Sequence, residues 1–125
     1  MEIKQGLLYM KSHEWVNFLD DTTALVGISD HAQHELGDLV FVNLPAAGDA
    51  VTVGKMFCDV ESVKAVSDIY SPVTGTVAEV NEELLDAPEK INQSAYDAWI
   101  AKVENITARG ELMDAAAYAA YLETL

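Results

Sequence analysis

The sequence predicts a mainly β fold, a small barrel or sandwich of short antiparallel strands carrying a helical segment at its C-terminal end. Three observations predict it. Short segments rich in Val, Ile, Phe and Trp, each bounded by turn residues, dominate the first hundred residues. Two of these segments are faint copies of each other, "GDLVFVN" (37–43) and "GTVAEVN" (75–81), as a barrel of two similar halves produces. Beyond Val103 the composition turns to Ala and Leu. A chain of 125 residues is accommodated by a single domain. The expected organisation is a β core over about 3–103 and a helical appendage over about 107–125.

The strand segments are, in order, "GLLYM", "EWVNFL", "TALVGI", "DLVFVNL", "KMFCDVESV", "AVSDIY", "GTVAEV" and "AWIAKV". Asp20–Asp21, Pro45 to Gly48, Gly54, Pro72 and Gly75 punctuate them. Two brief helices interrupt the pattern. "SDHAQHELG" has Ser29 or Asp30 to cap its start and Gly37 to stop it, and "NEELLDAPEK" supplies about one turn before Pro88. In the tail, Leu112, Ala116, Ala119 and Leu122 fall on roughly one helical face, with Asp114 placed to cap it.

Composition excludes several functions. The formal charge of −14 opposes binding to nucleic acid or anionic lipid and favours basic surfaces on protein partners. No apolar run is long enough to span a membrane, and the N-terminal residues have neither signal-peptide nor transit character, so a cytoplasmic protein is expected. A single cysteine, Cys58, allows no internal disulfide.

Among only seven basic residues, Lys64 is placed in an apolar and acidic run, "ESVKAVSDIY". It falls between two predicted strands, 56–62 and 65–70, with no Asn-Gly or Gly-X to make the turn. The turn is therefore expected to be imposed by pairing of its flanks, leaving Lys64 protruding at the tip. The plainer reading pairs Lys64 with Glu61, Asp59 or Asp68, for a fraction of a kcal/mol.

The surrounding stretch, "FCDVESVKAVSDIYSPVTGTVAEVN", resembles the lipoyl-lysine segment of the glycine cleavage system H proteins. "YMKSHEWV", "VGISDHAQHELGDLVFVNLPAAG", "LLDAPEKIN" and "AWIAKV" match the same family in order, covering 9–103, and the Ala-rich tail resembles the family's C-terminal helix. The resemblance implies a lipoyl-domain-like flattened barrel of two small antiparallel sheets with quasi-twofold symmetry. It implies that Lys64 carries lipoic acid in amide linkage, and that the attaching enzyme, a lipoate ligase or lipoyltransferase, reads Glu61 and Gly75. It also implies a non-catalytic carrier in glycine catabolism and one-carbon metabolism. Its partners would be glycine decarboxylase, aminomethyltransferase and dihydrolipoamide dehydrogenase, with no nucleic acid and no membrane. In a eukaryote the location would be the mitochondrial matrix.

Lipoylation replaces an ammonium by a neutral amide, on a swinging arm reaching on the order of 14 Å from bonds of about 1.5 Å. Such an arm makes delivery between successive enzymes nearly intramolecular. A loaded arm carries a reactive amine that a surface cleft would shelter from water. Ser12, Glu14 and Asp68 lie in the matching motifs and are expected to line that cleft.

The competing signals are weaker. His31 and His34 with Asp30 and Glu35 offer imidazole and carboxylate on one helix, but no third metal ligand is evident. Cys58 lacks a positive neighbour to activate it as a nucleophile. Trp15, Trp99 and the tyrosines are expected in the core and at its boundary. A biotin carrier normally has methionines on both sides of its lysine, where this chain has Val63 and Ala65. Lipoyl domains of 2-oxoacid dehydrogenases usually have an acidic residue immediately before it, where this chain has Val63. One departure from the H-protein pattern is the loop "QSAYDAW", in which Ala95, Asp97 and Ala98 replace turn-forming residues, so that its shape is expected to differ. Carriage of lipoate in sulfur oxidation or a lipoyl relay is the alternative reading.

Overall fold

β-rich segments pair in this chain mainly with their sequence neighbours. The computed structural model, which describes residues 1–125, arranges them in two antiparallel sheets. The larger sheet has the order β1-β2-β3-β9-β8-β5. Its strands are β1 (Leu8–Tyr9), β2 (Glu14–Phe18), β3 (Ala24–Ile28), β5 (Ala50–Val51), β8 (Val73–Val80) and β9 (Ala101–Arg109). The smaller sheet, β4-β6-β7, contains β4 (Leu39–Asn43), β6 (Met56–Ser62) and β7 (Val66–Tyr70). Helix α1 (Asp30–Leu36) joins β3 to β4 across the two sheets, α2 (Glu83–Asp86) and α3 (Lys90–Gln93) join β8 to β9, and α4 (Ala115–Leu122) closes the chain.

Period-two alternation drives the inward side chains of both sheets into one core. Val16, Val26, Val77 and Val103 from the larger sheet share it with Val42, Cys58, Val60 and Ile69 from the smaller. The sheets face each other as an unclosed sandwich of unequal sizes. The faint repeat takes the same role in each. β4 opens an antiparallel pair completed by β6, and β8 opens one completed by β9.

A second, largely aromatic cluster gathers Leu7, Tyr9, Trp15, Ala115 and Tyr118. Trp15 stands opposite Gly27 across β2–β3, and a Cβ on Gly27 would lie 2.6 Å from the indole, so the glycine lets the ring lie flat on the neighbouring strand. The indole N–H donates to the Ala95 carbonyl at 3.1 Å. Ala95 and Ala98 of the "QSAYDAW" loop are buried, and residues 95–97 form a turn closed by donation from Asp97 N and Ala98 N to the Ser94 carbonyl.

The helical tail begins later than expected. β9 continues to Arg109, and Met113 forms a backbone bridge with Tyr9, so helix starts only at Ala115. Asp114 does cap it, accepting from the Ala117 N–H at 2.8 Å. The buried face is only partly the expected one, with Leu112, Ala119 and Leu122 half-buried. Ala115 and Tyr118 are buried and Ala116 is exposed, because Tyr118 stacks flat on Tyr9, with ring centroids 4.4 Å apart. The Tyr118 hydroxyl meets His13 Nδ1 and Ser29 Oγ, each at 2.8 Å. In an Ala-rich helix, one aromatic with partners decides the rotation. No helix is long and apolar enough to cross a membrane.

Candidate functional site

β6 and β7 pair from Met56↔Tyr70 to Glu61↔Val66, and the chain reverses over Ser62 to Ala65. The reversal is built by a side chain. Ser62 Oγ accepts the Lys64 N–H at 3.2 Å and the Ala65 N–H at 3.1 Å, while the Ser62 N–H donates to the Ala65 carbonyl at 2.8 Å. None of these residues has positive φ, so the turn needs no glycine. The expectation that flanking strands alone impose the turn is thus corrected, since Ser62 supplies a local device for it.

Lys64 projects exposed from this turn, between Val63, 71% exposed, and exposed Ala65. Its ammonium forms no ion pair with Glu61, Asp59 or Asp68, for the one ion pair of the chain is Lys90–Glu83 at 3.0 Å. Its stem crosses Gly37 instead, where a Cβ would lie 3.1 Å from Lys64 Cε. Gly37 ends α1 at φ +79°, and its N–H closes on the Gln33 carbonyl.

The corner beneath the lysine is pinned from a distant segment. The Asn92 side chain on α3 accepts from Leu39 N and donates to Gln33 Oε1 and to the Gly37 carbonyl, all at 2.9 Å. Between these contacts, the Asp38 carbonyl accepts from the Val63 N–H at 3.1 Å. The tip is held by its own serine and by the α1–β4 corner.

Glu14 is 1% exposed. It accepts from the Ser12 hydroxyl and, at 2.8 Å, from the Tyr70 N–H at the end of β7, so that it ties the larger sheet to the smaller. Burial pushes its carboxyl up to about 6 against the opposing pull of those hydrogen bonds. Ser12 and Asp68 are exposed. Asp68 stands across from Asp59.

The comparisons with known proteins bear on this geometry. The family model for the glycine cleavage H-protein matches residues 7–125. The chain belongs to the glycine cleavage H-protein family. It is 57% identical over 123 residues to the glycine cleavage system H protein of Lachnoclostridium phytofermentans, covering 98% of this chain and 97% of that one. It is 60% identical over 127 residues to the probable glycine cleavage system H protein of Pyrococcus furiosus, covering 99% and 95% respectively. The crystal structure of a glycine cleavage system H protein from Mycobacterium marinum superposes with a TM-score of 0.91 at 39% identity, covering 98% of this chain and all of that one.

Within this H-protein fold, Glu61 lies on β6 opposite Val66, one residue before the turn. Gly75 lies in the other sheet, opposite Val51 and at a register shift between β8 and β9. A Cβ there would lie 2.7 Å from the Glu104 carbonyl oxygen, so strand packing alone already requires glycine at 75. Cys58 is buried, and its thiol is pushed up by desolvation and then by the charge of Asp59. His31 lies against His13, with ring centroids 4.4 Å apart. Burial and then the His31 charge lower the His13 pKa.

Sequence reasoning missed Ser62, Gly37, Asp38 and Asn92 as supports of the lysine. A serine two residues before the turn lysine was the signal for the first. The other three act through long-range contacts that no local pattern encodes.

Proposed function

We propose that the chain is the lipoate carrier of the glycine cleavage system, presenting an arm on Lys64 to glycine decarboxylase, aminomethyltransferase and dihydrolipoamide dehydrogenase. The observation that carries this reading is the exposed, unpaired ammonium of Lys64 at the tip of a pinned hairpin. The membership of the chain in the H-protein family supports it. The residues present suit an amide-linked group. No carboxylate holds the lysine, so losing its proton to become a nucleophile breaks no ion pair, and the neutral amide leaves no buried partner behind.

When attached, the lipoyl group supplies a dithiolane that accepts the aminomethyl group and is later restored by two-electron oxidation. The chain breaks no bond itself and acts as a covalent cofactor carrier. Its contribution is placement, with Ser62 fixing the turn and the α1–β4 corner bracing it. Glu61 and Gly75 are the features proposed to be read by the lipoate ligase or lipoyltransferase. Ser12 and Asp68, both exposed, are proposed to receive the loaded arm, with Glu14 of the expected trio buried behind Ser12 and accepting from its hydroxyl. The proposed location is the cytoplasm.

The test is release of carbon dioxide from glycine by purified glycine decarboxylase, with the lipoylated chain as the sole acceptor. Release should require both the lipoyl group and Lys64. Failure of a fully lipoylated chain to support it would assign the carrier to another pathway.

A further inference from the structure

We propose that the outer face of the β4-β6-β7 sheet docks the lipoate-attaching enzyme, and that the enzyme meets it with an apolar patch ringed by lysine or arginine. This rests on the carrier reading and names the partner surface at that same site. Of the ten large hydrophobic side chains that the chain leaves exposed, six belong to this sheet or its turn: Val40, Phe41, Met56, Val63, Val66 and Tyr70. A concentration of this kind on one small sheet marks an interaction surface, whereas single exposed residues do not.

The strand register gathers them. Phe41, Glu61 and Val66 stand directly opposite one another across the three strands, in the row nearest the turn. Asn43, Asp59 and Asp68 form the next outward row, and Met56 faces Tyr70 beyond it. The intervening row, Val42, Val60 and Ser67, points into the sandwich, and Val42 and Val60 are wholly buried. The outward face therefore interleaves apolar side chains with the carboxylates of Glu61, Asp59 and Asp68.

Charge sets the chemistry of the partner. Asp59 and Asp68 oppose each other across β6–β7, and neither takes part in an ion pair. Like charges directly opposite each other destabilise a sheet, and a cation supplied from outside relieves them. With a net charge of −14, a second copy is repelled and a basic rim is attracted.

Reach selects the attaching enzyme among those that visit Lys64. The unmodified side chain extends only about 6 Å from its backbone, by bond lengths of about 1.5 Å. An enzyme acylating it must bring its reaction centre onto the hairpin and cover Val63, Val66 and Phe41. Enzymes that act on the finished arm, on the order of 14 Å long, have no such constraint.

The experiment measures initial rates of lipoylation with lipoate, ATP and a purified lipoate ligase, across concentrations of the unmodified chain. The variants are Phe41→Thr with Val66→Thr, Asp59→Asn with Asp68→Asn, and Leu19→Thr as an exposed control elsewhere. Thermal unfolding checks that each variant folds. Losing the apolar pair should raise KM about tenfold or more with kcat held, as expected for removing interface anchors. The Asn pair should raise KM at low salt and flatten its dependence on ionic strength. Leu19→Thr should change neither constant. Unchanged KM in folded Phe41/Val66 variants would overturn the docking face, as would variants that only dissociate a self-associated chain. If the unaltered chain is not modified at all, the carrier reading and this inference fall together.

Discussion

Glu14 shows how one residue's environment sets a measurable property. Its carboxyl, ordinarily near 4.5, stands at about 6 because burial disfavours the charge more than Ser12 and the Tyr70 N–H restore it. The folded chain therefore keeps a proton that the unfolded chain has already released between these values. Stability contributed by Glu14 is present below about pH 4.5 and is lost as pH rises through about 6, by about 2 kcal/mol. Glutamine keeps an acceptor for Tyr70 N and a polar contact for Ser12 but does not titrate. Denaturant titrations should show Glu14→Gln gaining about 2 kcal/mol on the unaltered chain between about pH 4 and 7. A constant offset between the two proteins at every pH would contradict this. Nothing in the pattern of β2 revealed this burial, for a glutamate in a strand reads as outward-facing.

At the scale of elements, the hairpin depends on Ser62. Ser62→Ala removes the acceptor for two N–H groups and should cost about 0.5–1.5 kcal/mol. Amide exchange at Lys64 and Ala65 should accelerate, while Ser62→Thr, which keeps the hydroxyl, should restore protection. Exchange rates unmoved by the alanine would mean that the strands alone hold the turn. The two strands were legible from their β-branched residues, and so was the α1 boundary, where Ser29 caps the helix by accepting from Ala32 N and Gly37 ends it. The two-residue β5 was not, since its pairing with Thr76 and Gly75 is entirely non-local. α3 was hidden behind Pro88, yet it delivers Asn92 to the lysine corner. The C-terminal segment was misjudged for a related reason. Alanines give helix propensity without a preferred face, and the docking of Tyr118 onto Tyr9, His13 and Ser29 depends on residues about ninety positions or more away.

The whole molecule is an acidic sandwich that places most of its exposed large apolar side chains on the sheet whose turn carries one lysine. Its core spans both sheets, so the hairpin is braced by the fold rather than by its own turn alone. Attachment of a neutral acyl group would remove one of only seven basic side chains and leave the chain more acidic still. The resemblance over 9–103 pointed to Lys64, but the corner that supports it became visible only once α3 was folded against α1. The central claim is that Lys64 is the attachment point of the arm. It is tested most directly by intact mass after incubation with lipoate, ATP and a lipoate ligase, comparing the unaltered chain with Lys64→Arg. The account predicts a gain of one lipoyl group in the former and none in the latter. No gain in either protein, or an equal gain in both, would contradict it.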